Sequence, residues 1–221
     1  MQRPLPAPLP PAQRTVGQLV AESIKLYGRH FPRALPLGVI VAAVNQLTVG
    51  VDRFVAGGVL LLAAPVFSAA FAYASRFEAE RAVARRSWLV AIAAGSLVFV
   101  PAAVLFPWFA LAAVLWLALV GLAVPAAIRE GTSFTASLRR GLELGRVDYL
   151  HAAGSLATLV ILFLLMRIGL ALLLESQADN TVRTAIFLSD AVLAPLLFLG
   201  GAILYEDQKA RLDSRSDRGK E

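Results

Sequence analysis

Between Arg86 and Arg129 lie 42 consecutive residues without one charged side chain. As a helix rising 1.5 Å per residue they would reach about 63 Å, twice the ~30 Å depth of a bilayer's hydrocarbon core. The stretch must fold back on itself, and Pro107, with Pro101 nearby, supplies the place. Composition agrees with a bilayer as solvent: the chain is 58% hydrophobic and 16% charged with mean hydropathy +0.69, against roughly half and a quarter in soluble domains. Cysteine is absent from the 221 residues, which removes disulfide frameworks, thiol nucleophiles and thiolate-held metals.

The expected fold class is all-α, a polytopic transmembrane helix bundle of about six spans with two amphipathic interfacial helices. The spans fall at residues 34–51, 54–75, 88–106, 108–128, 150–174 and 184–205. The first is the weakest, because Asn45, Gln46 and Thr48 interrupt it and Pro36 sits near its start. Residues 1–14, with prolines at 4, 6, 8, 10 and 11, read as a disordered arm without the unbroken apolar core of a secretory signal. Residues 15–205 form the membrane domain, and residues 206–221 read as a charged cytoplasmic tail.

The first interfacial helix follows Thr15, which with Gln18 has the spacing of a capping box. Val16, Leu19, Val20, Ile24 and Tyr27 recur at spacings of three and four, and Pro32 is expected to end it. The second carries Phe134, Leu138 and Leu142 opposite Arg139, Arg140, Glu143 and Arg146. At an offset of 118 residues Thr15 matches Ser133, Val16 Phe134, Val20 Leu138, Ile24 Leu142 and Leu26 Leu144. This reads as a weak internal repeat of an elbow helix and a hairpin of spans.

Lysine and arginine set the orientation. With six spans, eighteen of the twenty-one fall on one side: before the first span, after the second, after the fourth and in the tail. Only Arg53 and Arg183 fall on the other side, and Arg167 lies within a span. Both termini are therefore expected in the cytoplasm; arginine outnumbers lysine eighteen to three and alanine is abundant, which suggests a high-GC genome, and the expected location is a bacterial plasma membrane. The basic residues are spread over four short segments and interleaved with eleven acids, so a nucleic-acid partner is not expected. Tyr27, Tyr73, Tyr149, Tyr205 and Trp88 fall at the cytoplasmic interface and Trp108 at the opposite one, as ring side chains with a polar tip prefer.

Arg167 and Asp190 are the ionisable residues deepest in the expected hydrocarbon, where each costs roughly 2.5–3.5 kcal/mol unless partnered. Their positions favour an ion pair between the fifth and sixth spans, either pinning the helices together or serving transport. Arg81, Arg85, Arg86, Arg139, Arg140 and Arg146 are candidates for binding anionic lipid headgroups. His30 and His151 have no ligand pattern around them, and no GxSxG is present, so neither a metal, a cofactor nor catalysis is expected.

The opening TVGQLVAESIKLYGRHF, the stretch from Pro125 through Arg129, Glu130 and Gly131 to Leu138, Arg139, Arg140 and Leu142, then Gly145 and Arg146, and finally Tyr205, Glu206, Asp207 and Arg211, resemble one family. It is the bacterial membrane domain named after glycerophosphoryl diester phosphodiesterase, and the resemblance covers nearly the whole chain after residue 14. It implies a multi-span helical protein; the phosphodiesterase chemistry of that name belongs to a separate soluble domain, so no hydrolase residues carry over. The expected role is a non-catalytic membrane protein that organises anionic lipid, or a membrane or cytoplasmic protein partner, through its basic cytoplasmic face. The alternative is a small transporter or permeation pathway using Asp190 and Arg167.

Overall fold

The computed structural model describes residues 9–77 and 83–218, and among these residues every regular element is a helix. In chain order they are α1 (Val16–Arg29), α2 (Phe31–Thr48), α3 (Arg53–Ala74), α4 (Arg85–Leu105), α5 (Ala110–Val120), α6 (Ala123–Glu130), α7 (Phe134–Val147), α8 (Tyr149–Leu173), α9 (Asp179–Leu193) and α10 (Pro195–Arg218). Five stretches among the described residues are long and apolar enough to cross a membrane: α3, α4, α8, α5 with α6 as Ala110–Glu130, and α9 with α10 as Asp179–Asp217. The 18-residue α2 is not among them, because Arg33, Pro32 and Pro36 dilute one end and Asn45 and Gln46 the other.

Local chemistry explains the boundaries. The Gln18 amide donates to Thr15 Oγ1 (3.3 Å) and the Thr15 amide to Gln18 Oε1 (3.1 Å), closing the capping box at the start of α1. Pro32 does not terminate α1, which has already ended at Arg29. It stands in the first turn of α2, where its missing donor leaves no bond unmade and its φ suits a helix start. Asp52 Oδ1 accepts from the amides of Phe54 and Val55 and caps α3. The uncharged stretch turns at residues 106–109, beside Pro107. Pro125 separates α5 from α6: lacking an amide hydrogen, it cannot bond the Gly121 carbonyl, which instead accepts from Val124 at 3.3 Å in a tighter turn. Gly131 closes α6 at φ +65°, a left-handed conformation that glycine adopts freely.

Small residues set the packing. A Cβ on Gly145 would stand 2.1 Å from the Leu119 carbonyl oxygen and one on Gly141 2.4 Å from the Ala123 nitrogen, so α7 lies backbone to backbone across the α5–α6 break. A Cβ on Gly38 would stand 1.8 Å from the Ala191 carbonyl oxygen, so α2 approaches α9 just as closely. The apolar stripe of α7 is not the face it buries in the bundle. Phe134 is exposed and Leu138 and Leu142 are only partly covered, while Ser137, Gly141, Leu144 and Gly145 are buried. The positions of α1 matched at the 118-residue offset, Leu19, Ser23, Leu26 and Tyr27, are likewise its buried face.

Both flanking segments are described in part, residues 1–8 of the arm lying outside the described residues. Pro11–Gln13 form a 3-10 turn rather than part of a disordered arm, and Arg14 Nη1 pairs with Asp207 Oδ1 at 2.9 Å. The segment expected as a tail is, through Arg218, the continuation of α10. High charge density reads as solvated chain, but here Glu206, Asp207 and Arg211 each meet an opposite charge on another segment.

Candidate functional site

Two polar assemblies lie at different levels of the bundle. The first joins α6, α7, the start of α8 and the middle of α10 to residue 14. Arg129 Nη1 pairs with Glu206, Arg129 Nε donates to the Ser75 carbonyl (3.1 Å), and the guanidinium lies 5.4 Å from the Tyr205 ring centre. The Tyr205 hydroxyl donates to Glu130 Oε1 (2.7 Å), which also accepts from Arg140 Nε (3.1 Å). Arg140 Nη1 reaches Glu143 at 3.0 Å. Burial opposes the charge on Arg140, and the bonds to Glu143 and Glu130 outweigh it, holding the guanidinium above its ordinary pKa. Arg211 bridges Asp148 (2.7 Å) and the Arg14 carbonyl (2.8 Å). The residues of the family resemblance at 129, 130, 140, 205, 206, 207 and 211 thus gather at one end of the bundle.

The headgroup candidates stand differently toward this network. Arg140, one of the headgroup candidates, is paired with two carboxylates, Glu130 and Glu143. Arg85, Arg86, Arg139 and Arg146 are exposed and have no ion-pair partner among the described residues. Arg81 lies outside the described residues. His151 Nε2 stands 3.8 Å from Asp207 Oδ2, and His30 stacks on Phe77 with ring centres 5.0 Å apart. Among the described residues no three histidine, aspartate or glutamate side chains come together to hold a metal ion.

The second assembly lies deep between α2, α8 and α9. Arg167 Nη1 stands 3.6 Å from Asp190 Oδ2, so the structure brings the two intramembrane ionisable residues together. The same oxygen accepts a 2.8 Å hydrogen bond from Asn45 Nδ2. At 3.6 Å the Arg167 contact is an ion pair without a hydrogen bond. Asp190 is 1% exposed and its Oδ1 has no hydrogen-bond partner among the described residues. Gly38 makes the arrangement reachable: it stands seven residues before Asn45, hence on the same helix face, and its lack of a side chain lets α2 close on α9.

Beside this triad a half-open apolar chamber of about 280 Å³ lies between the helices. Its wall comes from α2, α3, α4, α5, α8 and α10 and includes Phe67, Phe71, Phe99, Phe163 and Phe198. Among the described residues of the wall, Asn45 and Arg167 are the polar ones. On the far side of Asn45 a more polar cleft of about 390 Å³ is bordered by Gln46, Glu175, Gln177, Asp179 and Arg183. Gln46 Nε2 donates to the Arg183 carbonyl (2.9 Å) at that cleft. The triad therefore stands between a polar cleft and an apolar chamber. The chamber was not legible in the sequence, because its wall consists of ordinary span residues from six helices; Asn45 and Arg167, the polar interruptions, were the available signal.

Comparison of the chain with protein-family models, curated proteins and solved structures returns no match.

Proposed function

We propose that this chain is an integral protein of a bacterial plasma membrane that crosses the bilayer six times and binds a lipid-like amphiphile in its central chamber. The apolar chamber with Arg167 and Asn45 at one end is the observation that carries the reading. Such a site offers an apolar body its burial and a polar head its partners, the usual division of labour in small-molecule pockets. The volume, about 280 Å³, is near the lower end of the ~300–1,000 Å³ range of such pockets and suits one chain better than a two-chain phospholipid. Leu62 and Leu173, 82% and 81% exposed, fit chain surfaces that meet hydrocarbon. Both termini are on the cytoplasmic side in this reading, supported by the eighteen cations that six crossings gather there. The two elbow helices α1 and α7 lie along that face, and the protein binds and carries rather than catalyses.

Filling the chamber tests the proposal. Ala103→Phe, at a buried wall position, should strip co-purifying amphiphile detected by native mass spectrometry, whereas Leu60→Ala, which enlarges the chamber, should retain it. Unchanged amphiphile in Ala103→Phe would contradict the reading.

A second reading rests on Arg85, Arg86, Arg139 and Arg146, which project from the same end without ion-pair partners among the described residues. These cations would attract anionic headgroups at about 1 kcal/mol each near the surface. In that reading the protein organises anionic lipid, or a protein partner, through its basic face. Neutralising all four should then lower the anionic lipid that co-purifies.

A further inference from the structure

We infer that the chamber's ligand is a single-chain anion whose carboxylate or phosphate head is held by Arg167, with Asp190 acting as the counter-charge that the ligand competes against. This rests on the chamber reading above. Arg167 carries five N–H donors and makes no hydrogen bond to any described residue, its contact with Asp190 being 3.6 Å. A guanidinium at the edge of an apolar space, with its donors unused, matches the planar forked acceptor that a carboxylate or phosphate presents. Asn45 is spoken for, since its amide already donates to Asp190. Asp190 is buried with one unpartnered oxygen and faces the guanidinium, so its charge competes with an incoming anion for Arg167 while keeping that cation balanced when the chamber holds none.

The volume also sets the scale of the part of the tail that the chamber covers. At the ~30 Å³ that a water-sized group occupies, about 280 Å³ accommodates roughly nine methylene-sized groups. Decanoate carries nine carbons beyond its carboxylate carbon and decyl phosphate and decanol carry ten beyond their head oxygen, so the three are closely matched probes that differ mainly at the head. The first two separate a carboxylate ligand from a phosphate one.

The two acidic and basic partners predict effects of opposite sign. Removing the charge of Asp190 leaves Arg167 wholly available to the ligand and should tighten anion binding. Removing the charge of Arg167 should weaken it. Because Arg167→Gln alone strands a buried carboxylate, the double variant Arg167→Gln with Asp190→Asn, neutral at both positions, is measured beside it.

The experiment is equilibrium binding of the three radiolabelled probes to full-length protein in phosphatidylcholine nanodiscs. In the unaltered protein decanoate or decyl phosphate should bind at least tenfold more tightly than decanol, a difference of about 1.4 kcal/mol. Asp190→Asn should tighten the anions several-fold and leave decanol unchanged, and the double variant should bind anions and alcohol alike. A preference for either anion supports the inference and names the head. Equal binding of decanol and the anions to the unaltered protein, abolished by Ala103→Phe, would overturn the anionic head while leaving the chamber reading intact. Failure of all three probes to bind would overturn both.

Discussion

Arg167→Leu would remove the cation beside Asp190 and leave a carboxylate of 1% exposure with Asn45 as its remaining partner among the described residues. Breaking a buried pair in this way costs about 3–5 kcal/mol. The 3.6 Å separation and the retained Asn45 bond place the loss near the lower figure, about 3 kcal/mol. At about 2–4 °C per kcal/mol for a chain of this size, the unfolding midpoint should fall by roughly 6–12 °C. Asp190→Leu should cost less, because the long Arg167 stem can turn its head toward the polar cleft. Replacing both residues by leucine removes the charges together and leaves mainly the stranded Asn45 amide, at about 1–2 kcal/mol. The double-mutant cycle should therefore be strongly non-additive, with a coupling of about 3 kcal/mol. Tryptophan fluorescence during heating of the nanodisc-embedded protein reads all four midpoints. Additive losses, or an Arg167→Leu protein as stable as the unaltered one, would refute the pairing as a contributor to stability.

Other consequences concern helix approach and the charged end. Gly145→Ala should push α7 away from Leu119, whose carbonyl oxygen would stand 2.1 Å from the new Cβ, and lower stability by about 1–3 kcal/mol in the same melting assay. Tyr205→Phe removes the donor to Glu130 but leaves Arg140 on that carboxylate, so a loss of about 1 kcal/mol is expected, and a loss above about 3 kcal/mol would mean that Tyr205 does more than donate. Glu22 is held below the usual carboxylate range first by its hydrogen bond from Lys25, so its contribution is present above the ordinary carboxylate pKa and fades as pH falls through the depressed value. Glu22→Gln should accordingly cost under about 1 kcal/mol at pH 7, and the difference from the unaltered protein should vanish in acid melts.

How much could be seen beforehand varies with the kind of signal. Span ends were legible where charge or proline punctuates apolar chain: the expected 54–75, 88–106 and 150–174 correspond to α3 (Arg53–Ala74), α4 (Arg85–Leu105) and α8 (Tyr149–Leu173). The pairing of Arg167 with Asp190 followed from the cost of leaving either alone in hydrocarbon. The α5–α6 break was hidden because Gly121 and Pro125 sit inside uninterrupted apolar sequence, where hydropathy carries no trace of a lost hydrogen bond. The face that α7 turns to the bundle was not legible for a solvent-related reason. A periodicity of large apolar residues points inward when water surrounds the protein, but Ser137, Gly141 and Gly145 pack inside when close backbone approach drives association. The folded end of α10 was missed because pattern alone does not reveal that Arg14, Arg129 and Asp148 supply its partners.

The most direct test of the membrane arrangement uses the natural absence of cysteine, which gives single-cysteine variants a clean background. Arg53→Cys and Gln177→Cys, at one end of the bundle, and Arg86→Cys and Arg139→Cys, at the other, would be exposed to a membrane-impermeant maleimide in intact cells. Labelling of the first two from outside, and of the last two only after permeabilisation, is the expected result. Labelling of Arg86→Cys or Arg139→Cys in intact cells would contradict the arrangement from which the chamber's orientation follows.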